Sequence, residues 1–491
     1  MNTEKINVVF AYIGIVLIVV LLSGMTYAFL NNGEITEEEE NKLNDNIIVE
    51  YIDTSNVSMV NFKPGEEIIK TFSVINNGDN IEYYDINLEN VANNFNDLND
   101  LIYSLESDDG AYVYLNKAPI SSVSIASNIK IAPQEKHMYT FKIMFKELDI
   151  DQSINLNKTF SSNIKVVSTK NIISYDKGSI GYEIVNNTIS VFKNNDENIY
   201  EDGVYYTNNS INGKTVYFYR GSSNLNNNVI FGNNCYKIIR TTEDGGIRII
   251  YNGKVKEGKC SSDENVLEEL NEFNLRSNFN AYVGYMYGNA SSNNYESEHR
   301  NINSSAIKIV LDSWYTSNIA DFNDFISQNT IYCNNRNLGS FTLNNVLYDK
   351  IGYGNNNTGY ELMSNYLNNE VSYNCPNLND RFSVNSEFGN DILTNSVGLI
   401  TLEELFYAGY SFEKNNIDNY LYSLIPYWTM SSAYFSSNNA YNFIVNKDRV
   451  SVLEVNKKIG VRPVITLNKD TIILKGDGSL DNPYILFRRI L

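Results

Sequence analysis

Chemistry in this chain has few residues to draw on. Two histidines and four cysteines are spread over 491 residues, a thin supply for transition-metal or thiol catalysis. His299 stands in Glu296-Ser297-Glu298-His299-Arg300, where a carboxylate can orient an imidazole base. In so polar a run it reads instead as a solvated loop histidine. His137, in a period-two run, reads as a surface strand residue. Cys235, Cys260, Cys333 and Cys375 contain no CxxC pair, so the zinc-knuckle and redox spacings are absent. Their expected chemistry is oxidation. Nearest neighbours each close a loop within one subregion, which favours Cys235–Cys260 and Cys333–Cys375; four buried free thiols are the alternative. No GxSxG, Walker lysine loop or GxGxxG stands in a strand-turn-helix setting. A glycosidase carboxylate pair leaves no linear signature, because it is assembled in three dimensions. No catalytic residue, metal ligand or cofactor is therefore expected, and the ligand-binding residues stay unassigned.

The charge balance narrows the partners. With 38 Lys+Arg against 58 Asp+Glu the net charge is −20, and no basic run offsets it, so nucleic acid is not an expected partner. A hydrophobic fraction of 43% with 20% charged residues fits neither a disordered acidic tail nor a multi-span membrane protein. The 37 tyrosines offer rigid apolar faces with polar tips, suited to binding sugars or proteins. Tyrosines also fill the cores of β-rich proteins.

The elements that would position these residues begin with the uncharged run Val8 to Leu30. As a helix it would span about 34 Å, enough for a hydrocarbon core of about 30 Å, and it lacks the polar stripe of a buried soluble helix. Lys5 precedes it and Glu34 and Glu37 to Glu40 follow. That asymmetry predicts a single-pass anchor with a cytoplasmic amino terminus and extracellular domains beyond, making the membrane a partner through this helix. Thr26-Tyr27-Ala28 resembles a signal-peptidase site, so secretion after cleavage following Ala28 is the alternative. Residues 31–47 read as an acidic linker, and consecutive glutamates without turn residues do not make a calcium loop.

Over residues 48–169 the period is two. Tyr84, Ile86 and Leu88 alternate with polar residues, as do Tyr139, Phe141, Ile143 and Phe145, with turn signals at Lys63-Pro64-Gly65 and Asn77-Gly78-Asp79. Several such strands predict an all-β sandwich. Residues 170–201, rich in Asn, read as a connector. The second unit, 202–491, opens with a hairpin, CYKIIR (235–240) and IRIIYNG (247–253) joined through Asp244-Gly245-Gly246. Ser304 or Ser305 can cap a helix whose Ile307, Val310, Leu311 and Trp314 form one stripe, which places Trp314 in the core. Thr401 and Glu404 form a capping box, with Gly409 where that helix should stop. Polar tips at Ser436 to Asn439 and Asn355 to Thr358 are candidate recognition loops.

Two resemblances follow from these residues. TYAF followed by NFKPGEEIIKTFSVINNGDNIEYYDINLE resembles the exported camelysin and biofilm-fibre β-sandwiches of Gram-positive bacteria. Some of that group have been described as metalloproteases, but this stretch has no HExxH, so no protease assignment is carried over. YFYRG (217–221), YVGYMYG (282–288), LDSWY (311–315), IYCNNR (331–336), YWTMSSAYF (427–435), GVRPVITL (460–467) and GDGSLDNPY (476–484) are similar to a domain-of-unknown-function family in surface proteins of low-GC Gram-positive bacteria. The Trp428 strand and the closing Gly-Val-Arg-Pro also resemble the end of C-type-lectin-like domains of the formylglycine-generating-enzyme kind. The resemblance implies an α+β C-type-lectin-like domain, Trp428 in its core, and Arg462 as a buried structural arginine paired with a carboxylate. The oxidase cysteines and the calcium-ligating motifs of sugar-binding lectins are not found in the corresponding stretch. The expected molecule is multidomain: a transmembrane helix, an all-β sandwich and a lectin-like domain presented at the cell surface for adhesion or for binding a glycan or protein. An extracellular oxidase or hydrolase is one alternative; a surface-fibre or assembly subunit is the other.

Overall fold

The computed structural model describes residues 47–488 except 79–80, 97–99, 148–150, 170–174, 193–200, 209, 212, 257, 261–264, 293, 350–356, 369–374, 411–414 and 437. The expected span Val8 to Leu30 and the acidic residues 31–46 lie outside the described residues. Among those described, no helix is long and apolar enough to cross a membrane. The longest, Ala306–Asn318, would reach about 20 Å and carries Lys308 and Asp312, which pair with each other at 2.6 Å. The expectation of the membrane as a partner, and of a single-pass localisation, is corrected to what the described residues show, which is no membrane-spanning helix.

Nine strands make a two-sheet sandwich: β1 (Ile47–Tyr51), β2 (Asn56–Val60), β3 (Glu67–Asn76), β4 (Glu82–Asn93), β5 (Leu101–Glu106), β6 (Val113–Lys117), β7 (Val123–Ile131), β8 (Lys136–Phe145) and β9 (Thr159–Thr169). One sheet runs β1-β3-β8-β5-β6 and the other β2-β9-β4-β7. Register places Phe72 opposite Tyr139 and Val74 opposite His137. The period-two pattern thereby turns Phe72, Tyr139, Phe141 and Ile143 from one sheet towards Tyr84, Ile86, Leu88 and Val166 from the other.

His137 differs from its surface expectation. It is buried, its Nδ1 lies 2.7 Å from the Tyr84 hydroxyl, and that hydroxyl is 2.5 Å from the hydroxyl of Tyr139. Tyr139 also accepts the Ala111 N–H at 2.9 Å. Alternation aimed the histidine inward, and two phenols made burial tolerable. Tyr139→Phe would strand the Ala111 donor, so it is expected to cost about 1–2 kcal/mol. An unchanged urea midpoint would refute this.

The remaining chain is also dominated by strands: β10 (Thr188–Val191), β11 (Gly203–Thr207), β12 (Val216–Arg220), β13 (Asn228–Phe231), β14 (Asn234–Thr241), β15 (Ile247–Lys256), β16 (Asn357–Gly359), β17 (Tyr427–Ser436), β18 (Asn439–Asn446), β19 (Arg449–Glu454), β20 (Val464–Leu467), β21 (Thr471–Lys475) and β22 (Tyr484–Arg488). The large sheet follows β10-β11-β12-β14-β13-β22-β21, with β15 branching from β14 to β20; a second follows β16-β17-β18-β19. Besides a single turn at Tyr295–Glu298, the described α-helices inserted between strands are α1 (Ile180–Asn186), α2 (Ala306–Asn318), α3 (Glu361–Asn368) and α4 (Leu402–Tyr407). Among the described residues strand takes 45% and helix 14%, and no α+β C-type-lectin-like domain is present, which corrects that expectation. The Trp-Thr strand and polar turn that suggested a lectin end are chemistry any antiparallel ladder uses; here they pair β17 with β18. Gly460-Val461-Arg462-Pro463 lies outside the strands, just before β20.

β14 is buried throughout and β15 from Ile247 to Gly253, since the sheet is covered on each side there. Cys235 is bonded to Cys260 and Cys333 to Cys375. Trp314 packs edge-on against Tyr251, and the fully buried Trp428 lies edge-on to Phe273 while its Nε1–H donates to the Asn271 carbonyl at 2.8 Å. Arg462 is fully buried, and among the described residues it lacks the expected carboxylate partner. Its guanidinium donates to the carbonyls of Tyr251 (3.0 Å) and Leu421 (2.9 Å) and to Asn252 Oδ1 (2.9 Å), and sits 5.0 Å from the centroid of the Tyr427 ring. Carbonyl dipoles and a π face satisfy its donors in place of a charge.

Candidate functional site

The carboxylates sequence reasoning sought for Arg462 serve other arginines. Glu404 Oε1 accepts from Arg240 Nε at 3.0 Å and Arg248 Nη1 at 2.7 Å, all three side chains being buried. Asp380 accepts from Arg336 through both its backbone N–H (2.8 Å) and Nε (2.7 Å). His299, expected in solvent, is buried with its ring stacked 3.7 Å from that of Tyr295. Burial, with Arg336 nearby, holds it well below its usual pKa, so it is a neutral core imidazole. These are structural groups with their chemistry already used.

An open site forms where the large sheet meets α1, within the stretch read as a connector. Ser179 caps α1, its side chain accepting the Tyr182 N–H. The lead-in to the helix then joins the sheet edge, the Ile473 N–H donating to the Gly178 carbonyl at 2.9 Å. Ile180 and Ile184 are buried, leaving Glu183 and Asn187 to line a groove of about 780 Å³. Its other walls come from Asp202 and Gly203 at the start of β11, Tyr219 on β12, the loop 224–226, and Asp477 and Tyr484 around β22.

Local chemistry shapes these walls. Asp202 accepts the Ser222 N–H at 2.9 Å, and Asp477 Oδ1 accepts the Ser479 N–H at 3.0 Å, each tying a polar turn to the rim. Gly478 has φ +80, and a Cβ there would lie 2.4 Å from the Tyr484 ring and 2.5 Å from the Asn226 carbonyl. Only glycine lets that turn pack so closely.

Tyr219 and Tyr484 are the decisive side chains. They are only 5% and 7% exposed, yet line the groove, and neither hydroxyl has a hydrogen-bond partner among the described residues. Burial, then Tyr484 and Glu183, push the Tyr219 phenol well upward. Burial, then Glu183 and Asp477, push Tyr484 up to about 12. Both are therefore neutral at physiological pH, each able to donate one hydrogen bond and accept others. A second cavity of about 350 Å³ includes Glu243 and Asp244, but there Asp244 is engaged by Gly246 N–H and Ser327, and Glu243 faces Arg240 at 3.4 Å. Those two carboxylates are engaged, whereas the two phenol hydroxyls of the groove are not.

Trp314, Trp428 and Arg462 do not line the groove. Nor do the two expected recognition tips, whose described ends are brought side by side by the pairing of Asn357 with Ser436. Among the described residues no group of three His, Cys, Asp or Glu side chains is placed to hold a metal. Sequence reasoning quoted Tyr219 and Tyr484 only as parts of motifs. Their place in YFYRG and GDGSLDNPY does not reveal that the two residues line one groove.

No family model matches the chain, and no curated protein matches it. Two solved structures share some of its shape. One is AvmM, which catalyses macrocyclization in alchivemycin A biosynthesis: 12% identity, 26% of this chain and 91% of that one, TM-score 0.15. The other is Spo0M, a sporulation control protein from Bacillus subtilis: 12% identity, 42% of this chain and 79% of that one, TM-score 0.12. At that degree of superposition neither decides fold or function here.

Proposed function

We propose that the chain is a recognition protein that takes a polyhydroxylated ligand, a glycan, in the groove beside α1. The observation that carries this reading is the pair of nearly buried phenols, Tyr219 and Tyr484, lining the groove with no protein partner for their hydroxyls. Neither hydroxyl is bonded among the described residues, so a ligand rich in hydroxyls can bond both, each such bond worth about 1 kcal/mol. The amides of Asn187, Asn224 and Asn226 extend the polar lining, and a tyrosine's flat apolar face suits the C–H face of a sugar ring. The volume lies within the usual range of small-ligand sites, about 300–1,000 Å³. Two closed disulfides fit a protein folded in an oxidising compartment.

Glycan-array screening of the full, disulfide-closed chain, followed by calorimetry on the hits, tests the reading. Tyr219→Phe and Tyr484→Phe are each expected to weaken binding about fivefold, the worth of about 1 kcal/mol per hydrogen bond. Absence of any glycan ligand, or a double-Phe variant binding as well as the parent, would refute the proposal.

A further inference from the structure

The rim of the groove carries Glu183, Asp202 and Asp477, and no lysine or arginine is among the described residues that line it. Charge alone would not define a ligand, but the placement of Glu183 adds a constraint. It lines the same groove as Tyr219 and Tyr484, yet no hydrogen bond joins its carboxylate to either hydroxyl, and it has no ion-pair partner among the described residues. A carboxylate and two phenols thus line one groove without satisfying one another. Each presents an acceptor oxygen there. An ammonium group has three donors and no acceptor, so it can satisfy all three, and its positive charge suits the acidic rim.

Building on the glycan reading, we infer that the sugar selected by this groove bears a free amine, so that an unacetylated hexosamine is preferred over its N-acetylated form and over a uronic acid. The ammonium would take the position between Glu183, Tyr219 and Tyr484, and neighbouring sugar hydroxyls would meet Asn187, Asn224 and Asn226. An N-acetyl group removes the charge and brings a carbonyl acceptor towards a carboxylate. A uronate brings like charge to the rim, where repulsion disfavours it. The lining amides favour a sugar over a lysine side chain, whose hydrocarbon stem asks for apolar walls.

Calorimetry on the full, disulfide-closed chain with size-matched tetramers decides the matter: glucosamine, N-acetylglucosamine and galacturonate, with a lysine-containing tetrapeptide as a fourth arm. The glucosamine tetramer is expected to bind about tenfold more tightly than the acetylated one, the worth of one charge-assisted hydrogen bond. Glu183→Gln should bring the two within about twofold while leaving the thermal melt unchanged, since the Glu183 carboxylate anchors no described side chain and the Asn187 amide bonds only the Glu183 backbone carbonyl. Equal affinity of the free and acetylated tetramers, or a preference that survives Glu183→Gln, overturns the amine assignment while leaving the glycan reading intact. Tighter binding of the peptide overturns the sugar assignment. No binding by any tetramer, with no array ligand either, overturns both readings.

Discussion

Glu404→Gln is expected to destabilise the chain by about 3–5 kcal/mol, the cost of removing one partner from a buried ion pair. One carboxylate oxygen serves Arg240 and Arg248, and the other accepts the Thr401 N–H at 3.1 Å, closing the capping box at the start of α4. Burial pushes this carboxyl upward, but the guanidiniums of Arg248 and Arg240 outweigh it and hold the group below its ordinary value. Glutamine keeps the size and an acceptor but leaves two buried guanidiniums sharing one fewer charge. Arg248 also binds Thr330 and the Ile331 carbonyl, so it cannot swing out to water without breaking further bonds. The stabilisation from Glu404 is present above the unfolded carboxyl value near 4.5 and fades as pH falls through its lower folded value. Guanidinium titrations of parent and variant should therefore differ most at neutral pH and converge in acid. A difference below about 1 kcal/mol at pH 7 would show that the network is not the support described.

The preceding residue should respond in the opposite direction. Glu403→Gln is expected to stabilise the chain at neutral pH by up to about 3 kcal/mol. Glu403 is buried in the same helical turn, but one step along a helix rotates the side chain by about 100°, away from the arginines. One of its carboxylate oxygens is buried without a hydrogen-bond partner among the described residues. Burial, with smaller contributions from the Glu404 and Glu361 charges, pushes its carboxyl up to about 8. The folded chain therefore holds a proton that the unfolded chain releases near 4.5. Between those values the folded state binds more protons, so this group's contribution falls as pH rises from about 4.5 to about 8 and is constant beyond. Glutamine never loses a proton, so the gain should be absent at pH 4 and largest at pH 8. Thermal melts of both proteins across that interval provide the measurement. A destabilised variant at pH 8, or a gain independent of pH, would reject the assignment of Glu403 as a neutral buried acid.

Adjacent glutamates with opposite roles mark where sequence reasoning stops. The capping box of Thr401 and Glu404, the stop at Gly409 with φ +86 and the Ser305 cap of α2 were legible because each is a bargain between residues three to eight apart. The inward face of Tyr139, Phe141 and Ile143 was legible because strand side chains alternate with a fixed period. The same period also carries His137 inward, but that it finds Tyr84 was not legible, since strand neighbours are set by register. Likewise Arg240 meets Glu404 across 164 positions, and nothing local distinguishes that glutamate from Glu403.

The order of polar and apolar residues determined by itself the period-two strands and the capped helices α2 and α4, though not α1 in the stretch read as a connector, because those choices are made within a few residues by backbone geometry and water. Only the tertiary structure decided which charges face each other, and that Tyr219 and Tyr484, from distant strands, line one groove with their hydroxyls unclaimed. Such meetings depend on how sheets stack and which edges join, and the energies that select them arise only once distant segments have shed their water together.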